Sequence, residues 1–176
     1  MADTVDLFPP VYIKFKGVVD IQDFYKKLHD WFVRRKFELH EQVYKAKQTD
    51  FGQEDENFWY AQRRENWYHM VYMNLYIWTR KQRDVEVIKD GKKKTLQKME
   101  FYICIKTLWI LDWQNLFQDS DFTRKIGKFF HNVIYDNEWF VLNWDKFYYY
   151  TIKLQEEIKE WLGMEARSHE AYIDMW

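Results

Sequence analysis

Between Asn66 and Arg83 the chain reads NWYHMVYMNLYIWTRKQR, and strict alternation sorts it into two faces. One face carries Trp67, His69, Val71, Met73, Leu75 and Ile77. The other carries Tyr68, Met70, Tyr72, Tyr76 and Trp78. Successive strand side chains point to opposite sides of a sheet, and a half-exposed strand is apolar on one side only. This stretch is apolar on both, so its second face calls for a cover: a helix, a ligand or a partner.

A second alternating stretch follows. Lys89-Asp90-Gly91-Lys92 is the clearest turn signal in the sequence. After it, Met99, Phe101, Ile103, Ile105, Thr107, Trp109 and Leu111 alternate with Glu100, Tyr102, Cys104 and Lys106. The two stretches make a long antiparallel hairpin. A two-residue loop pairs residues whose numbers sum to 181 and sets Arg83 against Lys98. A three-residue loop makes the sum 182, which sets Asp84 against Lys98 and Ile77 against Ile105. Like charges oppose pairing, and a one-residue slip inverts every side chain. The sequence therefore favours 182, unless a second bulge lies between Thr79 and Val85.

Around the hairpin, Val11, Ile13 and Phe15 mark a strand after Pro9-Pro10. Asp20 is placed to cap a helix whose stripe is Ile21, Phe24, Tyr25, Leu28, Trp31 and Phe32. Arg34-Arg35-Lys36 suits the negative end of that helix. The segment 37–47 reads as extended, 49–57 as a polar acidic loop, and 58–65 as a further strand. Ser120 suits a helix carrying Phe122, Ile126, Phe129 and Val133. A longer helix is expected from about Glu138 to Leu162, with the stripe Phe140, Trp144, Phe147, Thr151, Leu154, Ile158 and Trp161. Gly163 stands where such a helix would end.

This order gives an α+β domain: a curved antiparallel sheet, with its long β-hairpin, packed against an N-terminal helix and a long C-terminal helix. It resembles the helix-grip, or START-like, arrangement. The run from Asp84 to Lys106 and the aromatic helix around FTRKIGKFFHNVIYDNEWF also resemble uncharacterised small proteins of archaeal genomes, a group that implies no activity and no functional residues. Residues 1–163 are expected to form one domain and 164–176 a C-terminal tail.

The chemical inventory is sparse. Two serines, one cysteine (Cys104) and five isolated glycines offer no nucleophile motif and no phosphate-cradling loop. The five histidines show no metal-ligand spacing, so neither a metal nor a cofactor is expected. His69 falls near Trp113 or Asp112 according to register, and reads as a structural histidine before it reads as an acid–base group. No stretch reaches the ~18 apolar residues of a membrane span, and with one cysteine the expected compartment is the cytoplasm.

What remains is an excess of rings, 21% of the chain. Bulky rings need wide spaces between packed layers. The reading that follows is a non-enzymatic binding module with an aromatic-lined groove or cavity for an apolar small molecule or a protein partner's side chains. Its candidate residues are Tyr68, Tyr72, Tyr76, Trp78, Tyr102, Trp109, Trp144 and Phe147. The alternative is an assembly component that docks on a protein, a ribonucleoprotein or a second copy of itself in a homo-oligomer. That reading uses the hairpin cations Arg80, Lys81, Arg83, Lys92, Lys93 and Lys94, which are also suited to nucleic acid. The net charge of −1 argues against a general nucleic-acid binder.

Overall fold

The computed structural model describes residues 3–89, 92–117, 120–129 and 139–164. The Asp90-Gly91 turn, Val133 and the expected tail from 165 onward lie outside the described residues. Along the chain run β1 (Asp3–Asp6), β2 (Val11–Val19), α1 (Ile21–Arg34), β3 (Glu38–Thr49), β4 (Gly52–Arg64), β5 (His69–Lys89), β6 (Lys92–Leu111), α2 (Asp121–Phe129) and α3 (Trp139–Trp161). The strands form one antiparallel sheet in the order β1-β6-β5-β4-β3, with β2 also on β6. β1 and β2 lie end to end along one side of β6: Asp3–Asp6 opposite Leu108–Leu111, and Val11–Val19 opposite Gln97–Ile105. Pro9-Pro10 falls between them: β2 is the strand expected after the prolines, and the short β1 before them was not expected. The arrangement is the helix-grip-like α+β fold that the element order implied.

The hairpin register differs from the expected 182. Near the tip Arg83 pairs Lys98 and Lys89 pairs Lys92, a sum of 181; from Arg80 opposite Glu100 inward the sum is 180. One extra residue in β5, between Arg80 and Arg83, separates the two registers, and Lys81 there has φ 56°. This is the bulge that the sequence reading named as its exception. The like-charge pair at Arg83 and Lys98 survives because neighbours offset it. Arg83 donates to the Phe51 carbonyl (3.1 Å), while Lys81 and Lys16 both meet the Glu100 carboxylate (2.9 and 3.5 Å). Because 180 and 182 share parity, the aliphatic side of β5 still meets that of β6, with Ile77 against Ile103 and Leu75 against Ile105.

The acidic segment 49–57 is strand rather than loop from Gly52 onward. Glu54 and Glu56 stand directly opposite Lys47 and Lys45, and such opposite-charge pairs offset the poor strand propensity of acidic residues. The β3–β4 turn lies over the β5 bulge. Gly52 has φ 126°, and a Cβ there would lie 2.7 Å from the Gln82 carbonyl oxygen.

The core lies between the aliphatic sheet face and two helices. Val71, Met73, Leu75 and Ile77 of β5 and Phe101, Ile103, Ile105 and Trp109 of β6 are buried against Phe24, Leu28, Trp31 and Phe32 of α1 and Phe147, Leu154 and Ile158 of α3. The α1 cap is as expected: Asp20 accepts from the Asp23 N–H (3.2 Å), and Lys94 holds the same carboxylate. Arg34 and Arg35 donate to the Asp30 and Trp31 carbonyls of the last turn. α3 ends at Gly163 (φ 68°), with the N–H groups of Gly163 and Met164 bonded to the carbonyls of Glu160 and Lys159, the pattern of a left-handed helix stop. α2 departs from the expected packing. Ser120 caps it, but Phe122, Ile126 and Phe129 are exposed.

Polar contacts cross the sheet–helix boundary at two points: the Asn57 amide of β4 donates to the Tyr25 hydroxyl of α1 at 2.6 Å, and a threonine pair joins β6 to α3. The Thr107 and Thr151 hydroxyls are 2.9 Å apart, both fully buried, and Thr151 donates to the Phe147 carbonyl. Thr107 is therefore the donor in the pair. Thr151→Val is expected to orphan that hydroxyl and cost roughly 1–3 kcal/mol in denaturant unfolding, whereas Thr107→Val with Thr151→Val recovers most of the loss. Additive effects would show that the pair does not act as a unit. Gly52→Ala is expected to cost about 1–3 kcal/mol through the strained φ and the clash with Gln82; an unchanged unfolding midpoint would show that the turn is free to move.

Candidate binding face

Alternation along the strands divides the eight candidate aromatic residues between opposite sides of the sheet. Trp109 and Phe147 are fully buried in the core. Trp144 is half-buried on α3, stacked on Tyr148 at 5.3 Å, and donates from its indole to the Leu7 carbonyl at 2.6 Å. Tyr68 is buried beside Phe117 at the end of the sheet. Tyr72, Tyr76, Trp78 and Tyr102 lie on the far side, away from α1 and α3. The eight residues therefore do not line one space between sheet and helix. The structure brings together only the last four.

Those four belong to a larger array. Cross-strand pairing makes one continuous row, Tyr12–Cys104–Tyr76–Phe58–Val43, from β2 through β6, β5 and β4 to β3. It contains no charged residue. Tyr12 is 64% exposed, Val43 39% and Tyr76 38%, although all three are large apolar side chains. On one side runs the row Lys14–Tyr102–Trp78–Glu56–Lys45, and on the other Lys106–Asn74–Tyr60–His40. Within these rows Trp78 meets Tyr102 (5.6 Å) and Tyr60 stacks on His40 (4.9 Å); Tyr60 also stacks on Tyr72 of the next row (6.0 Å). Arg80 lies over the Trp78 ring at 4.8 Å. Reading β5 and β6 alone found the centre of this array but missed Tyr12, Phe58, Tyr60, His40 and Val43, which join it only through the sheet order. The signal was present in their strand parity and lacked only a register.

Burial raises the phenol pKa values of Tyr72 and Tyr76, with added pressure from Tyr60 on the first and Glu56 on the second. Burial also pushes the Cys104 thiol up, against smaller opposing effects of Tyr12 and Lys106, so the thiolate nucleophile is scarce. Among the described residues, no group of three or more His, Cys, Asp and Glu is placed to hold a metal ion. No helix among them is long and apolar enough to cross a membrane.

The hairpin cations are largely engaged within the molecule. Arg80 meets Glu54 (3.4 Å), Lys81 meets Glu100 (2.9 Å), Lys93 meets Glu86 (3.8 Å), Lys94 meets Asp20, and Arg83 donates to Phe51. The Lys92 side chain lies outside the described residues. Lys93 and Glu86 are both highly exposed, so that pair contributes little.

His69 is paired with Leu111 and buried against Trp109, with ring centres 5.0 Å apart. Both oxygens of Asp112 accept backbone N–H groups, from Leu116 (2.7 Å) and Phe117 (3.3 Å), so this carboxylate closes its own turn. No family model and no curated protein sequence matches the chain.

Burial lowers the His69 pKa to about 4, with Glu65 opposing and Lys146 assisting. The unfolded chain takes up this proton near pH 6.5 and the folded one only near 4. Stability is therefore expected to fall as pH drops from about 6.5 to 4, and His69→Gln to flatten that part of a pH–stability curve. Parallel curves for variant and wild type would count against a neutral buried His69.

Proposed function

We infer that the protein is a non-enzymatic binding module that docks a protein partner on the sheet face opposite α1 and α3. The observation that carries this reading is the uncharged row from Tyr12 to Val43, crossing the full width of the sheet with three of its large side chains exposed. A sheet face that faced only water would alternate to polar residues.

The border of the row favours a protein over a nucleic acid. Protein interfaces combine an aromatic, charge-poor centre with a polar rim. Here the rim holds both signs: Lys14, Lys45 and Lys106 stand among Glu56, Glu54, Glu100 and Asp6, and Lys106 is paired with Asp6 at 3.0 Å. Carboxylates so placed repel a phosphate backbone, whereas they match a partner that carries its own mixed rim. The described hairpin cations, already engaged with carboxylates or a carbonyl, would orient such a partner rather than bind a polyanion.

Native mass spectrometry of the protein isolated from its own cells is the direct check. The expected result is a complex of fixed stoichiometry. Tyr76→Glu, which places a charge at the centre of the row, is expected to weaken it at least about tenfold while leaving the melting temperature nearly unchanged. A free chain in the wild-type sample, or a complex indifferent to Tyr76→Glu, removes the reading.

A further inference from the structure

We propose that the cleft where α1 ends, β4 ends and α3 passes is a binding site for a small phosphate monoester. This site is separate from the docking face and stands or falls independently of it. The cleft has a volume of about 380 Å³, open to solvent, and five cations from these elements and their margins converge on it: Arg35, Lys36, Arg63, Arg64 and Lys146. Two carboxylates, Glu38 and Glu65, share the lining and Glu157 pairs with Arg35 beside it, which leaves a surplus of two positive charges.

The surplus can be traced residue by residue. Arg63 pairs with Glu65, and Lys146 donates to the other oxygen of the same carboxylate at 2.7 Å. Burial alone would raise the Glu65 pKa, but these two cations outweigh it and hold the group below the usual carboxylate range, so it is ionised at neutral pH. Arg35 is spent on Glu157 at 3.1 Å, with its guanidinium over the Trp31 ring at 3.9 Å. Glu38 accepts from the Gln62 amide at 2.8 Å. Lys36 and Arg64 remain: among the described residues neither meets a carboxylate within 4.0 Å, and Arg64 lies over the Trp113 ring at 5.1 Å. The helix dipole does not absorb them, since a helix C-terminus carries only about half a negative charge.

Two features fit a built site. Arg63 is held rigid: its Nη1 donates to the Arg35 carbonyl at 2.8 Å, and its guanidinium is 4.6 Å from the Phe37 ring and 5.2 Å from the Tyr150 ring. Lys36 is the residue beyond α1 in the left-handed region, at φ 59°, where the N–H groups of Lys36 and Phe37 close the helix onto Val33 and Phe32. Glycine is the cheap residue at such a stop. The chain instead places a lysine there, facing the cleft, in a conformation that costs stability.

Two unmatched cations call for a ligand carrying close to two negative charges, and a phosphate monoester carries about −1.5 to −2 at neutral pH. The volume exceeds what a bare oxyanion fills and leaves room for the organic body of the ligand.

Isothermal titration calorimetry of the full chain at constant ionic strength, with phosphoserine, adenosine monophosphate and inorganic phosphate as separate probes, tests the assignment. Saturable binding of at least one monoester, tighter than inorganic phosphate, is expected. Lys36→Gly separates binding from folding. It is expected to raise the melting temperature by about 2–4 °C yet weaken monoester binding at least about fivefold, and Arg64→Gln is expected to weaken binding similarly. Absence of saturable binding by either monoester up to ~10 mM overturns the proposal, as does binding of inorganic phosphate alone, or monoester binding that Lys36→Gly leaves unchanged.

Discussion

The pairing of β5 with β6 is the constraint on which the rest of the structure depends. Its parity decides which side chains of both strands are buried, and the remaining elements are arranged on that decision. With Leu75 opposite Ile105 and Ile77 opposite Ile103, one face becomes a continuous aliphatic surface. α1 and α3 cover it, and the Thr107–Thr151 contact ties the second helix to its centre. The opposite face then receives the rings. A stretch that is apolar on both sides is thus apolar for two different reasons: one side is core, and the other is the proposed docking face.

The bulge at Lys81 shows how a local irregularity reconciles demands that a uniform ladder cannot meet. The short connection at the tip requires one register, and burial of the aliphatic face requires another of the opposite parity. One extra residue in β5 satisfies both. The neighbouring strand shares the adjustment: Asp55 pairs Thr79 while Gln53 pairs Gln82, so β4 shows the same one-residue offset. Gly52 accommodates the displaced backbone by presenting no side chain to it. The like-charge pair at Arg83 and Lys98, which taken alone argued for a different register, is a small cost beside the burial of a whole strand face.

Much of the fold was legible in the sequence because its signals are periodic. The α1 stripe, the α3 stripe from Trp144 to Trp161 and the glycine stop at 163 each follow from one element's own pattern. What the pattern missed depended on pairing between distant segments. Glu54 and Glu56 looked like loop residues until Lys47 and Lys45 were placed across from them. Val43 and Tyr12, more than 30 residues apart, share a row only because three strands intervene. The cationic cleft was invisible for the same reason. Arg34-Arg35-Lys36 read as compensation for a helix dipole, while Arg63, Arg64 and Lys146 showed no pattern that joined them to it. Only the meeting of α1, β4 and α3 sets these cations around one volume.

The end-to-end placement of β1 and β2 gives the sheet two unequal margins. On one side the margin is β2, nine residues, with the four-residue β1 beside it on β6. The opposite margin is β3, twelve residues whose side chains are almost all exposed, and among the described residues no strand lies beyond it. Either margin offers backbone groups for strand addition, β3 over the longer run. That longer margin is interrupted by an irregularity between Glu41 and Val43 and studded with Glu38, Glu41, Lys45 and Lys47, features that discourage indiscriminate pairing. Indiscriminate pairing along the longer margin is thus discouraged by the bulge and side chains of β3 itself.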